Sequence, residues 1–191
     1  RRPKRQEKKK SFLTERDLNK LIKAPLPNRY DNIRDMFLFS CLSGLRFSDV
    51  VNLRWQDVRQ SNGKCVIEYI QQKTGKQETL PLCKQAESIL RKFSRKGVYV
   101  FRQTSSQLAN KVIKRWCQLA KIKKTVSFHT GRHTFCVMLL TQDVPIYTVQ
   151  QLMGHADVGT TKSYADLLDR TKARAVQKMP ELKFTNYRNA V

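Results

Sequence analysis

Five short stretches of the sequence set polar, chemically capable side chains among apolar neighbours. They are Ser43-Gly44-Leu45-Arg46-Phe47-Ser48-Asp49, Gln72-Lys73-Thr74-Gly75-Lys76, His129-Thr130-Gly131-Arg132-His133, Met153-Gly154-His155 and Ser163-Tyr164-Ala165. Singly, each has a plain structural reading. Arg46 can be a surface arginine beyond a helix end, Lys73 one hairpin lysine among several, and Tyr164 a core ring with its hydroxyl at the surface. His129 and His133 can be partly buried imidazoles, although their four-residue spacing also puts them on one helical face, as in zinc sites. Against a metal, no Glu follows His129 in the H-E-x-x-H manner, no carboxylate stands nearby as a third ligand, and Arg132 between them opposes a cation. A Ser-His-Asp hydrolase fits poorly as well, because the sequence has no G-x-S-x-G turn.

The elements that must hold these stretches can be read from periodicity and caps. Thr14-Glu15-Arg16-Asp17 is a capping-box-like start, and Leu18, Leu21 and Ile22 continue at helical spacing until Pro25 and Pro27. A second helix is predicted over 30–43, with Ile33, Met36, Phe37, Ser40 and Cys41 on one face and Gly44 as its stop. Ser48 is expected to cap a short helix through Val51 and Leu53. Residues 65–71 alternate as a strand, Thr74-Gly75 offers a tight turn, and 78–82 return as a second strand. Further helices are predicted over 84–93, 106–122, 130–141, 146–153, 160–164 and 167–179. No internal repeat is visible. The expected fold class is α+β, mostly helical, with one small antiparallel sheet.

Charge narrows the partner. The 191 residues carry 38 Lys+Arg against 15 Asp+Glu, a net charge of +23, and the first ten residues alone supply +6 of it. That opening run has no hydrophobic period and reads as a solvated arm or a segment lying on phosphates. Nucleic acid is the default partner of so basic a chain, with an anionic membrane surface as the weaker rival. The rival is disfavoured because the basic residues are not gathered on one amphipathic helix. With 40% of residues apolar, there is material for a core, and wholesale disorder is excluded. No apolar run is long enough to span a bilayer and no signal-peptide pattern opens the chain, so a cytoplasmic location is expected. The five cysteines, at 41, 65, 83, 117 and 136, are odd in number and form no C-x-x-C pair, which suits reduced and mostly buried thiols.

Taken together and in order, the polar stretches resemble the catalytic domain of the tyrosine recombinases, the phage integrase family. That family's pattern is an Arg after T/S-G-L, a Lys in a β-hairpin, H-x-x-R, a His or Trp after Leu-Gly, and a Tyr. Its residues fall here on Arg46, Lys73, His129 with Arg132, His155 and Tyr164. The gaps, 23 positions from Arg132 to His155 and 9 from His155 to Tyr164, are of the family's size. Gly131 stands where the family usually has Leu, and Met153 replaces a common Leu; neither is a catalytic group. Lys76 competes with Lys73 for the hairpin role, and Lys73 is preferred because the family's lysine lies just before the turn. The resemblance divides the chain into a basic linker or arm over 1–11, a catalytic domain over 12–180 and a tail over 181–191. An upstream core-binding domain is expected in the full-length protein.

The resemblance implies DNA strand exchange, as in the integrases of mobile elements, through a 3′-phosphotyrosyl bond. Arg46 and Arg132 would present planar forks of donors to the non-bridging phosphate oxygens. Tyr164 would be the nucleophile, His129 its proton acceptor or orienting group, and His155 a donor to the phosphate. Lys73 would protonate the leaving 5′ oxygen, and Asp49 would pin the arginine or a histidine from behind. The scheme requires no metal, ATP or other cofactor. Its partner is double-stranded DNA carrying an attachment site, held by a homo-oligomer, a tetramer when two sites are synapsed. Leu167, Leu168, Ala175, Val176, Met179 and Leu182 form an apolar set that, in such a family, docks either on its own domain or on a neighbouring subunit. The alternatives left open are a type IB topoisomerase and a DNA-binding protein without catalysis.

Overall fold

The computed structural model describes residues 11–72 and 75–154. In chain order these form α1 (Glu15–Lys23), a 3-10 turn (Asn28–Tyr30), α2 (Asp31–Ser43), α3 (Phe47–Val51) and a 3-10 turn (Trp55–Asp57). Strands β1 (Val58–Ser61), β2 (Lys64–Ile70) and β3 (Gln77–Pro81) follow, then α4 (Lys84–Leu90), α5 (Ser106–Leu119), α6 (Phe128–Thr141) and α7 (Ile146–Leu152). Lys73, Thr74 and everything from His155 onward lie outside the described residues. So do the helices predicted over 160–164 and 167–179, the tail, and nearly all of the arm.

Helix α1 starts as its sequence implies. Asp17 N donates to Thr14 Oγ1 at 3.2 Å, and Thr14 N donates back to Asp17 Oδ2 at 3.0 Å. Lys124, from the stretch before α6, also reaches Asp17 at 2.7 Å, so the cap doubles as a tie between distant segments. Burial works to raise the Asp17 carboxyl, but hydrogen bonds from Lys124 and Thr14 outweigh it and hold the group below its usual value.

Helix α2 is the spine. Ile33, Met36, Phe37, Phe39, Ser40 and Cys41 are all buried, and α6 packs along it. The two helices approach closely at Gly131, where an added Cβ would lie 2.9 Å from Ser40 Oγ. The residue that departs from the family's Leu is therefore the one that admits the spine. Phe128, at the start of α6, meets Phe37 and Phe47 edge-on at 6.0 and 5.1 Å. A second cluster, Phe135, Val137, Leu140, Val149 and Met153 among it, seats α7 on α6.

Several expectations are corrected. Helix α3 begins at Phe47 with Arg46 in the N-cap position, not Ser48, because the Asp49 carboxylate reaches back to the Arg46 backbone N–H at 3.4 Å. It ends at Val51, short of Leu53. Helix α6 starts two residues earlier than expected, as Ser127 N donates to Thr130 Oγ1 at 3.0 Å. Helix α4 stops at Leu90 and α5 at Leu119, the latter just before the left-handed Lys121 (φ +54°). Among the described residues the sheet has three strands, ordered β1-β2-β3 and antiparallel throughout. The additional strand β1 is joined to β2 through Asn62-Gly63, both left-handed (φ 50° and 71°), which is the type I′ geometry that matches strand twist. All five cysteines are free; Cys41, Cys65, Cys117 and Cys136 are buried, whereas Cys83 is exposed.

Candidate active site

Gly44 sets the geometry. It ends α2 in a left-handed turn (φ +72°), and a Cβ there would come within 2.5 Å of the Phe135 ring on α6. The turn buries Leu45 and delivers Arg46 to the head of α3. The Arg46 side chain, 17% exposed, donates from Nη1 to Gln71 Oε1 at 3.1 Å. Its second neighbour is Asp49, whose Oδ2 lies 3.8 Å from Nη1. Asp49 is itself fully buried and accepts at Oδ1 from the Gln72 backbone N–H at 3.1 Å. One carboxylate thus orients the guanidinium, caps α3 and grips the residue immediately before Lys73.

Arg132 lies in the second turn of α6 and is buried. Its Nη1 donates to the Gly44 carbonyl at 2.7 Å, and its Nη2 donates to the Met153 carbonyl. The side chain therefore bridges the turn that presents Arg46 and the end of α7, two residues before His155. Burial, helped by repulsion from Arg46, brings its pKa down to about 10, so it remains a cation at neutral pH. The Asp49 charge acts on both guanidiniums, which leaves the group net positive. Such a desolvated, net positive cluster attracts an anion that can accept several hydrogen bonds, as a phosphodiester does.

His129 is exposed in the first turn of α6, three residues before Arg132, so that the two are neighbours along one helix face. Its ring meets that of His133 edge-on, with centroids 4.5 Å apart and planes at 84°. Among the described residues no three His, Cys, Asp or Glu side chains come together. Lys76 is exposed, and its carbonyl accepts from Gln71 N at 2.9 Å at the base of the β2–β3 loop. Arg46, Asp49 and Arg132 thus share one place, with His129 one turn away; Lys73, His155 and Tyr164 fall outside the described residues. Of the described residues just before Lys73 and His155 in the sequence, Gln72 is held by Asp49 and Met153 by Arg132.

Two residues not singled out from the sequence belong to this cluster. Gln71 is 1% exposed. Tyr69, two residues earlier on β2, has its hydroxyl pushed up to about 12 by burial and by the Asp49 charge, while a hydrogen bond with Gln71 pulls the other way. The available signal was period-2 alternation: Ile67, Tyr69 and Gln71 share a strand face, and Ile67 is wholly buried. A cleft of about 360 Å³, lined by Asp49, Asn52, Arg54, Tyr69 and Gln72 among others, opens beside the cluster.

Comparison with known proteins gives a consistent answer. A model of the phage integrase family matches residues 11–171. A tyrosine recombinase of Pseudothermotoga lettingae is 30% identical over 190 residues, covering 94% of this chain and 64% of that protein. The tyrosine recombinase XerA of Pyrococcus furiosus is 30% identical over 180 residues, covering 87% and 60% respectively. Among solved structures, the XerH site-specific recombinase bound to its palindromic difH substrate superposes with a TM-score of 0.73 at 19% identity, over 90% of this chain and 54% of that one. A lambda integrase dimer bound to a core site gives 0.69 at 19% identity, over 95% and 65%. The chain spans about three-fifths of the length of the curated relatives it matches.

Proposed function

The chain belongs to the phage integrase family, and from that premise we propose that it is the catalytic part of a site-specific DNA recombinase. The observation that carries this reading is the pair Arg46 and Arg132, two guanidiniums locked around the Gly44 turn with one carboxylate between them. A scissile phosphodiester seated there meets donors that are already oriented, and such preorganised donors are worth about 10²–10³ each in rate. Arg132 spends two of its five N–H groups on backbone carbonyls, which fixes the plane in which it can offer the others.

In the proposed reaction Tyr164 Oη attacks phosphorus and its proton passes to His129 or to solvent. The bond to the 5′ oxygen breaks, and Lys73 gives that oxygen a proton. His155 donates a hydrogen bond to the phosphate as charge develops. The ester energy is kept in the phosphotyrosyl bond, so a 5′ hydroxyl of another strand can reverse the step without ATP. The full-length protein, on this reading, carries a further DNA-gripping domain, binds duplex attachment sites and works as a tetramer on two synapsed sites.

The test begins with fragmented genomic DNA from the source organism. Protein–DNA adducts that survive SDS are recovered, sequenced to define the site, and rebuilt as a nicked duplex on which the cleaved strand cannot be resealed. The wild-type protein should accumulate a covalent adduct carrying the 3′ phosphate on Tyr164, and Tyr164→Phe should bind the duplex yet form none. An adduct that persists in Tyr164→Phe would sink the assignment, and binding with no wild-type adduct would leave a DNA-binding protein without catalysis.

A further inference from the structure

Gln71 sits where three parts of the cluster meet. Its Oε1 accepts from Arg46 Nη1 at 3.1 Å, and its side chain hydrogen-bonds with the Tyr69 hydroxyl. Its backbone closes the β2–β3 loop, with Gln71 N donating to Lys76 O at 2.9 Å and Gly75 N donating to Gln71 O at 2.9 Å. From a third side the Gly154 backbone lies so close that a Cβ there would collide with the Gln71 amide, and Gly154 adopts φ +53°. A buried amide at the end of a strand is costly, since its polar atoms give up water, and an apolar side chain would pack there at less expense. The cost is justified only if the carbonyl has something to hold. What it holds is the guanidinium of Arg46.

We propose that Gln71 is a positioning residue that fixes Arg46 to the base of the β2–β3 loop, so that the guanidinium and the end of β2 meet the phosphate as one unit. This rests on the recombinase reading above. The second link in the unit is Asp49, which touches Arg46 and accepts from Gln72 N. Arg46 is therefore joined to the two residues preceding Lys73 by two independent contacts, one through the Gln71 side chain and one through the Gln72 backbone. Removing Gln71 leaves the arginine on Asp49 alone, at a separation too long for a hydrogen bond. The fork is then free to swing out of the phosphate plane. A displacement of about an ångström at a reacting centre can cost about 10²-fold in rate.

The experiment measures single-turnover cleavage of the nicked duplex at saturating DNA, with affinity measured separately. Gln71→Leu, close in volume but without an acceptor, should slow cleavage by about 10²-fold and leave affinity for the duplex unchanged. Gln71→Glu, which restores an acceptor toward Arg46, should recover most of that loss. A purely structural role would give no such rescue. A double-mutant cycle with Arg46→Lys supplies the decisive readout: if Gln71 acts through Arg46, its loss should matter far less once the fork is gone, a departure from additivity of about tenfold. Full additivity in the cycle would overturn the proposal, as would a Gln71→Leu protein that cleaves like wild type. Should Gln71→Leu fail to fold, Gln71→Asn draws the carbonyl back by one methylene and is judged by the same criteria. Failure of the recombinase reading itself is seen separately, as a wild-type protein that forms no adduct at all.

Discussion

Arg132 shows how much one side chain can be asked to do. It holds the carbonyls of Gly44 and Met153 with two arms of a planar fork, and a lysine, with a single compact ammonium, cannot span both. Arg132→Lys should therefore lose about 10²–10³-fold in cleavage rate and also lower the melting temperature, measured by adduct formation and by calorimetry. Tyr69 supplies a control on the nucleophile. With its hydroxyl pushed up to about 12 by burial and the Asp49 charge, it stays neutral across the working range, so Tyr69→Phe should still form the adduct that Tyr164→Phe cannot. The same group carries a pH signature. Its folded pKa, about 12, lies above the ordinary tyrosine value of 10.0, so between those values the unfolded chain has released a proton that the folded chain retains. That contribution to stability is complete below pH 10 and is lost as pH rises through the folded value. Denaturation midpoints followed across this window should fall less steeply in Tyr69→Phe than in the wild-type protein.

At the scale of elements, the close approach of α2 and α6 reverses a familiar sign. Gly→Ala inside a helix ordinarily stabilises by about 0.5–1 kcal/mol. At Gly131 the new methyl would press on Ser40 Oγ at 2.9 Å and Cys41 N at 3.4 Å. Overpacking of that kind costs about 1–3 kcal/mol, so urea denaturation of Gly131→Ala should show a net loss. The elements also show what the sequence could and could not disclose. The Thr14 cap, the Gly44 stop and the buried face of α2 were legible because each depends on residues a few positions apart. The start of α3 was misplaced because both Ser48 and Asp49 can cap, and only the fold shows which oxygen meets an unpaired N–H. Strand β1 was passed over although Asn62-Gly63 marks its turn, since its own four residues, with none fully buried, carry no hydrophobic alternation. Gln71 was passed over for a different reason: strand alternation marks its face as inward, but an amide declares a role only through its partner, and Arg46 is 25 positions away.

At the scale of the molecule, the charge of +23 makes association with duplex DNA an ion-exchange process. If Z phosphates are neutralised, the logarithm of the affinity should fall with the logarithm of salt concentration at a slope of about −0.9Z. Fluorescence anisotropy from low to moderate salt measures that slope, and tight binding indifferent to salt would contradict the electrostatic account. Among the described residues no helix is long and apolar enough to cross a membrane, and the basic surface has DNA as its proposed counterpart. The distribution of thiols has a practical side as well. Burial raises the pKa of Cys41, Cys65 and Cys117, and Cys136 is wholly enclosed, whereas Cys83 stands at the surface before α4. A maleimide dye should therefore enter the native protein once and rapidly, and enter the other four positions only after the domain opens. Cys83 Sγ also lies 4.0 Å from the carbonyl of Leu42, two residues before the Gly44 turn. A fluorophore placed there would sit close to the turn that presents Arg46, so if the arginine cluster seats a phosphate as proposed, its emission should change when duplex DNA is added.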